Sequence, residues 1–264
     1  MKIHFFWTWA AVNPSLDNTF FYIEDGDFNM FVDCGGWNTL YQSIKQWIAP
    51  YPNYLFQTHA HTDHILWFPH LIRIIKKGSM SILSSEYIQE KFKTLCDGCE
   101  LTKILEDKLE KWLINFVTLY DKQSVIINDN RLLTPIDLLS EKVEQYWFVL
   151  NIKDKKIVYF GDENIKILSR MDLEFCENAD LLICESFCLS SEIEERDPYG
   201  KHHVTAKDAW LIAKKLKAKK LAIVHVEESK TEDQKDYLVR IQDEAYKQCN
   251  IETIVPLAGD DIEC

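Results

Sequence analysis

The stretch Thr58-His59-Ala60-His61-Thr62-Asp63-His64 places three imidazoles and a carboxylate within six residues, directly after the apolar run Asn53-Tyr54-Leu55-Phe56. Imidazole and carboxylate are the ligands that zinc, iron and manganese accept. On a turn that follows a buried strand, alternate residues can point into one cavity. His59 and His61 are then placed for one cation, and Asp63 and His64 for a second. A solvated histidine-rich loop is the alternative, and chemistry-bearing residues at later strand ends argue against it.

Outward from this stretch, apolar runs alternate with helical patterns. Phe20-Phe21-Tyr22-Ile23 and Asn29-Met30-Phe31-Val32-Asp33 read as strands paired around the turn Glu24-Asp25-Gly26-Asp27. Residues 53–58 predict a short buried strand, 66–77 a helix, and 86–111 one or two exposed helices. Tyr146–Ile152 and Lys156–Phe160 flank a Lys153-Asp154-Lys155 turn and predict a hairpin, and Leu181–Cys184 a buried strand. Thr205-Ala206-Lys207-Asp208 is a capping box. It opens a helix with Ala209, Ile212, Ala213 and Leu216 on one face, followed by the strand Leu221–Val224. With no linker, repeat or low-complexity tract, residues 1–264 are expected to form a single domain of two mixed sheets covered by helices.

Composition narrows the function classes. The chain has 264 residues, with 30 Lys+Arg against 42 Asp+Glu and a formal charge of −12. That balance argues against broad, unspecific nucleic-acid binding. No apolar run is long enough to span a membrane, and the N-terminus lacks the h-region of a signal peptide. Eight cysteines without a secretion signal are expected to be thiols of a cytoplasmic protein. The lone pair Cys96 and Cys99 lacks the second pair of a zinc ribbon.

The histidine stretch resembles the HxHxDH motif of the metallo-β-lactamase superfamily. The similarity extends along most of the chain: Phe31-Val32-Asp33-Cys34-Gly35, Val158-Tyr159-Phe160-Gly161-Asp162, Ala179-Asp180-Leu181-Leu182-Ile183-Cys184-Glu185 and Ile223-Val224-His225. It implies the α/β (α+β) four-layer αββα sandwich. It also implies two divalent metal ions, zinc foremost with manganese or iron as alternatives, held by His59, His61, Asp63, His64, Asp162 as the bridging residue, and His225. Within the superfamily, His203-Val204-Thr205-Ala206-Lys207-Asp208-Ala209 resembles the RNase Z-like and phosphodiesterase branch. That implies His203 as the group protonating the leaving group and Asp63 as both ligand and orienter of the nucleophile. The expected reaction is hydrolysis of a phosphodiester, an RNA 3′ end or small nucleotide, by a hydroxide shared between two ions. A homodimer is the assembly that relatives suggest.

Two departures stand out. The family's third histidine on the first metal is absent, and Glu141 occupies that place. It is either a replacement ligand, or the first metal is weak or missing. Secondly, glycine and tryptophan each occur 8 times, where glycine usually makes up about 7%. Trp7, Trp9, Trp67 and Trp147 stand where relatives carry glycine. Glycine codons of the UGA type translated as tryptophan would explain this, and the gene sequence tests it. The competing functions are an acyl hydrolase (thioester, lactone or β-lactam) on the same fold, which would not need His203, and a degenerate member that binds without turnover.

Overall fold

A computed structural model describes residues 1–7, 19–35, 53–75, 79–140, 142–164, 169–229, 233–249 and 251–264. Among them are fourteen strands: β1 Lys2–Trp7, β2 Phe20–Asp25, β3 Phe28–Val32, β4 Asn53–Phe56, β5 Met80–Ser84, β6 Ile114–Thr118, β7 Val125–Asn128, β8 Arg131–Asp137, β9 Tyr146–Ile152, β10 Lys155–Phe160, β11 Leu181–Glu185, β12 Lys220–Val224, β13 Glu252–Ile254 and β14 Asp261–Glu263. They form two seven-stranded sheets, ordered β14-β1-β2-β3-β4-β5-β6 and β13-β12-β11-β10-β9-β8-β7. Both are mixed. β3, β4, β5 and β6 run parallel, as do β10 to β13, while β1–β3 and β7–β10 pair antiparallel.

Three apolar layers hold the sheets and helices together. Phe5, Phe21, Phe56, Phe148, Leu150, Tyr159 and Val224 meet between the two sheets. On the outer face of the first sheet, Phe31, Leu55 and Ile82 pack with Phe68, Leu71, Ile88 and Phe92 from the helices Phe68–Ile74 and Glu86–Gly98. On the outer face of the second, Val158, Leu182 and Ile223 pack with Ala209, Ala213, Tyr237 and Ile241 from the helices Ala206–Lys215 and Gln234–Cys249. Helix, sheet, sheet and helix follow one another, which is the expected four-layer sandwich. The central parallel strands are buried on both faces, so they carry continuous apolar runs rather than alternation.

Most predicted elements are present with adjusted bounds; the helix predicted at 66–77 runs Phe68–Ile74, and residues 76–77 lie outside the described residues. The strand predicted at 53–58 ends at Phe56. Residues 86–111 contain two helices, Glu86–Gly98 and Thr102–Glu110. Thr205 accepts from the Asp208 amide and the Asp208 side chain accepts from the Thr205 amide, which completes the capping box. Cys96 is buried and Cys99 exposed, and both are free thiols. No helix among the described residues is long and apolar enough to cross a membrane.

Candidate metal centre

The ends of β3, β4, β10, β11 and β12 converge at one edge of the sandwich. After β3 the chain turns at Asp33, which takes a left-handed φ of 63°, a region that short polar side chains tolerate better than bulky ones. Asp33 is fully buried and gathers the histidine stretch around itself. Its Oδ1 accepts from the Thr58 amide (2.9 Å), the Thr58 hydroxyl (2.8 Å) and Gln57 Nε2 (2.8 Å). Its Oδ2 lies 2.7 Å from His64 Nδ1. Two residues on, Gly35 runs so close to the histidine turn that a Cβ built on it would lie 1.4 Å from the Asp63 carbonyl oxygen. Glycine is required there because backbone packs directly on backbone.

These contacts decide which ring nitrogens face the cavity. His59 Nδ1 lies 2.9 Å from the Thr58 hydroxyl, which leaves its Nε2 inward. His64 binds Asp33 through Nδ1, so its Nε2 is also inward. A second group fixing each ligating imidazole is the usual arrangement at a metal site.

Asp162 lies at the centre. Its Oδ1 is 3.5 Å from His59 Nε2, and its Oδ2 is 3.8 Å from His64 Nε2 and 3.6 Å from His225 Nε2. Asp63 Oδ2 stands 3.6 Å from His64 Nε2, and His61 Nδ1 stands 3.0 Å from His59 Nε2. Two ligand atoms on a tetrahedral zinc ion, each about 2.0–2.1 Å from it, lie roughly 3.3 Å apart. The observed separations are close to that edge length. The buried Nε2 atoms of His64 and His225 have no hydrogen-bond partner among the described residues, as expected of lone pairs reserved for a cation. The donor set and these orphaned nitrogens fit divalent metal. Three overlapping groups each bring one ligand atom per residue within 4.8 Å of one another: His59, His64 and Asp162; Asp63, His64 and His225; and Asp162, His203 and His225.

The electrostatics differ from ring to ring, and on His64 a cation would have to replace a proton. Burial holds His59 and His61 below the ordinary imidazole value, so both present lone pairs. Burial also opposes charge on His64, but Asp33, Asp63 and Asp162 outweigh it and raise that imidazole to about 10. Burial works against the Asp162 carboxylate, and the surrounding imidazoles of His59, His64, His225 and His203 still hold it well below the usual range. His225 itself takes a left-handed φ of 57° at the end of β12. Strained backbone of this kind is concentrated at functional sites.

His203 stands beside the cluster, its Nδ1 2.8 Å from Glu185 Oε2. Its ring lies flat on Phe187, with centroids 4.6 Å apart. Glu185 is fully buried at the end of β11, and the same Oε2 is 3.3 Å from His225 Nδ1. Burial raises Glu185 to about 8 and lowers His203 to about 4. Glu185 and Asp33 ended strands recognised in the sequence, but neither was expected to take part in the site. The available signal was a carboxylate closing an unbroken apolar run. Of the expected residues, His59, His61, Asp63, His64, Asp162, His203 and His225 come together, whereas Glu141 lies outside the described residues. His202 is half-exposed, 3.4 Å from Glu163.

A family model, the beta-lactamase superfamily domain, matches residues 28–226. The chain belongs to the metallo-β-lactamase superfamily. Among solved structures, it resembles the metallo-β-lactamase fold protein YhfI from Bacillus subtilis (18% identity, covering 99% of each chain, TM-score 0.75). It also resembles the short form of human tRNase Z (18% identity, 100% of this chain and 99% of that one, TM-score 0.72). A diphosphatase of the PhnP family is similar as well (14% identity, 100% and 97%, TM-score 0.68). No curated protein matches the sequence. At these identities the likeness of the solved structures establishes the metallo-β-lactamase fold, and the residues at the sheet edge carry the functional argument.

Proposed function

We propose that this superfamily member is a metal-dependent phosphodiesterase of the cytoplasm, acting on RNA ends, nucleotides or smaller phosphodiesters. The observation that carries the reading is a fifth imidazole, His203, held beside the cluster by the buried Glu185 carboxyl. Divalent ions in the site, zinc foremost or manganese or iron, would lower the pKa of water and neutralise phosphoryl oxygens.

The chain's own groups supply the rest. Asp63 orients the attacking water and accepts its proton. As water adds to phosphorus, the bond to the leaving oxygen breaks, and that oxygen takes the Nε2 proton of His203. The Glu185 carboxyl, raised to about 8, passes its proton to His203 Nδ1, so the imidazole stays neutral and the negative charge left by the departing proton rests on Glu185. Phe187 fixes the ring plane. Beyond the effect of burial, the charge of Lys142 helps depress both His61 and His203, and a cation near the site would favour an anionic phosphoryl group.

The test is hydrolysis of bis-p-nitrophenyl phosphate by the zinc- or manganese-loaded chain and its His203→Ala variant. The reading predicts turnover that falls by about 10²–10⁴-fold in the variant. Turnover of a thioester or lactone that His203→Ala leaves intact would assign acyl hydrolysis instead. Absence of phosphodiester turnover with any metal would remove the phosphodiesterase reading.

A further inference from the structure

Asp162 divides the cluster into two unequal halves. On the Oδ2 side stand Asp63, His64 and His225, which with Asp162 make four ligating residues. On the Oδ1 side stand His59 and His61, with Gln145 beside them in place of a further imidazole. Its Nε2 donates to Asp162 Oδ1 over 3.1 Å. That is the oxygen nearest His59. Gln145 is 1% exposed, and backbone on both sides holds it. Its carbonyl accepts from the Leu138 amide (3.1 Å), and the following amide, of Tyr146, donates to Thr58 O (2.9 Å), one residue before His59. Gly161 leaves it room, since a Cβ there would lie 3.1 Å from Gln145 Nε2.

We propose that the two halves bind cations unequally: Asp63, His64, Asp162 and His225 hold one ion tightly, and Gln145 makes the His59–His61 half a weak second site. A neutral amide turned nitrogen-first offers a proton, not a lone pair. A cation entering beside His59 must take Asp162 Oδ1 from that N–H, and it gains no third imidazole in return. The resulting deficit exceeds the roughly 10–100-fold that losing one outer hydrogen-bond partner costs a metal site. The proposal rests on the metal-binding reading of the cluster and is independent of which bond the enzyme cleaves.

The experiment is calorimetric titration of Zn²⁺ into the chelator-stripped full-length chain, with metal content measured after desalting. The expected result is one retained equivalent and a second at least about 100-fold weaker. His225→Ala should lose the retained equivalent, and His61→Ala should keep it. Gln145→His should bring the second affinity to within about tenfold of the first. Gln145→Glu, a carboxylate of the same length, should shift it in the same direction and covers the case where the imidazole does not fit. Thermal melts establish that each variant is folded. Two equivalents of similar affinity in the unaltered chain overturn the proposal, and if Glu141→Ala then removes one of them, Glu141 supplies the missing ligand. No binding at all overturns it together with the metal reading. Unequal binding without phosphodiester turnover would leave it standing while the functional reading fails.

Discussion

At the end of the sandwich away from the candidate metal centre, Asp25 is buried between Arg131, 3.1 Å away, and Lys153, 3.0 Å away, and Arg131 also reaches Asp27 at 2.7 Å. At the other end Asp33, Asp162 and Glu185 are equally buried, but their neighbours are imidazoles. His64 Nε2, His225 Nε2 and Glu185 Oε1 have no hydrogen-bond partner among the described residues. Both ends place carboxylates out of water. One end neutralises them with fixed cations from its own chain, and the other leaves ligand atoms facing a space. The first arrangement serves folding, whereas the second carries a cost that a bound ion would offset. Substitutions at the two ends should therefore separate stability from metal binding.

The largest effect on zinc binding is expected from Gly35→Ala. The new methyl would have to displace the Asp63 carbonyl and with it the His64 turn, so zinc affinity should fall by at least about 100-fold. Titration calorimetry reads that loss, and unchanged affinity would mean that the turn relaxes freely. Asp33→Ala should follow, at about 3–5 kcal/mol in urea unfolding. It strands the Thr58, Gln57 and His64 donors in the interior, and it should weaken zinc binding as well.

Arg131→Ala probes the opposite end and should cost about 3 kcal/mol without changing zinc affinity or hydrolysis. Its pH dependence has a defined sign. Burial opposes ionisation of Asp25, but Lys153 and Arg131 outweigh it and lower the carboxyl below 3.8. The stabilisation is therefore complete above the unfolded value and is lost as pH falls through the folded one. The gap between wild type and Arg131→Ala should narrow below about pH 4, as followed by unfolding across that range. A gap that stays constant would show that Asp25 does not gain from the arginine.

The fold was legible because its central strands are dense in apolar residues. The runs at 20–23, 146–152, 181–184 and 221–224 all became strands. The edge strands β13 and β14 have three residues each and carry no periodicity to detect. β5 and β6 intersperse Ser81, Ser84, Asn115 and Thr118 among apolar residues, which blurs a strand pattern. The site's candidate ligands were legible as an imidazole cluster with partners at strand ends. Its supporting residues were not. Asp33, Glu185 and Gln145 are ordinary polar side chains whose roles come from burial, and burial is a property of the packed sandwich.

The tryptophans divide similarly. Trp147 is fully buried against Phe160, with ring centroids 4.3 Å apart, and its indole nitrogen has no hydrogen-bond partner among the described residues. Trp67 is buried as well, while Trp9, Trp37 and Trp47 lie outside the described residues. Trp112 adds a position that the sequence did not single out. It ends the helix Thr102–Glu110 at φ 55° and is 76% exposed. Its amide bonds Leu109 O, and the Leu113 amide bonds Lys108 O. That pairing is the helix-terminating motif in which glycine is the usual residue. Trp112→Gly should raise stability by about 1 kcal/mol through relief of left-handed strain, the smallest effect expected here and readable by thermal melting.

The central claim is that side chains following three strands, β4, β10 and β12, grip a cation in one cavity. Anomalous diffraction at the zinc edge, from crystals of the full chain grown with zinc, tests it most directly. The account predicts a strong peak bounded by His64, His225, Asp63 and Asp162. A zinc-replete crystal with no peak inside that cavity would contradict it.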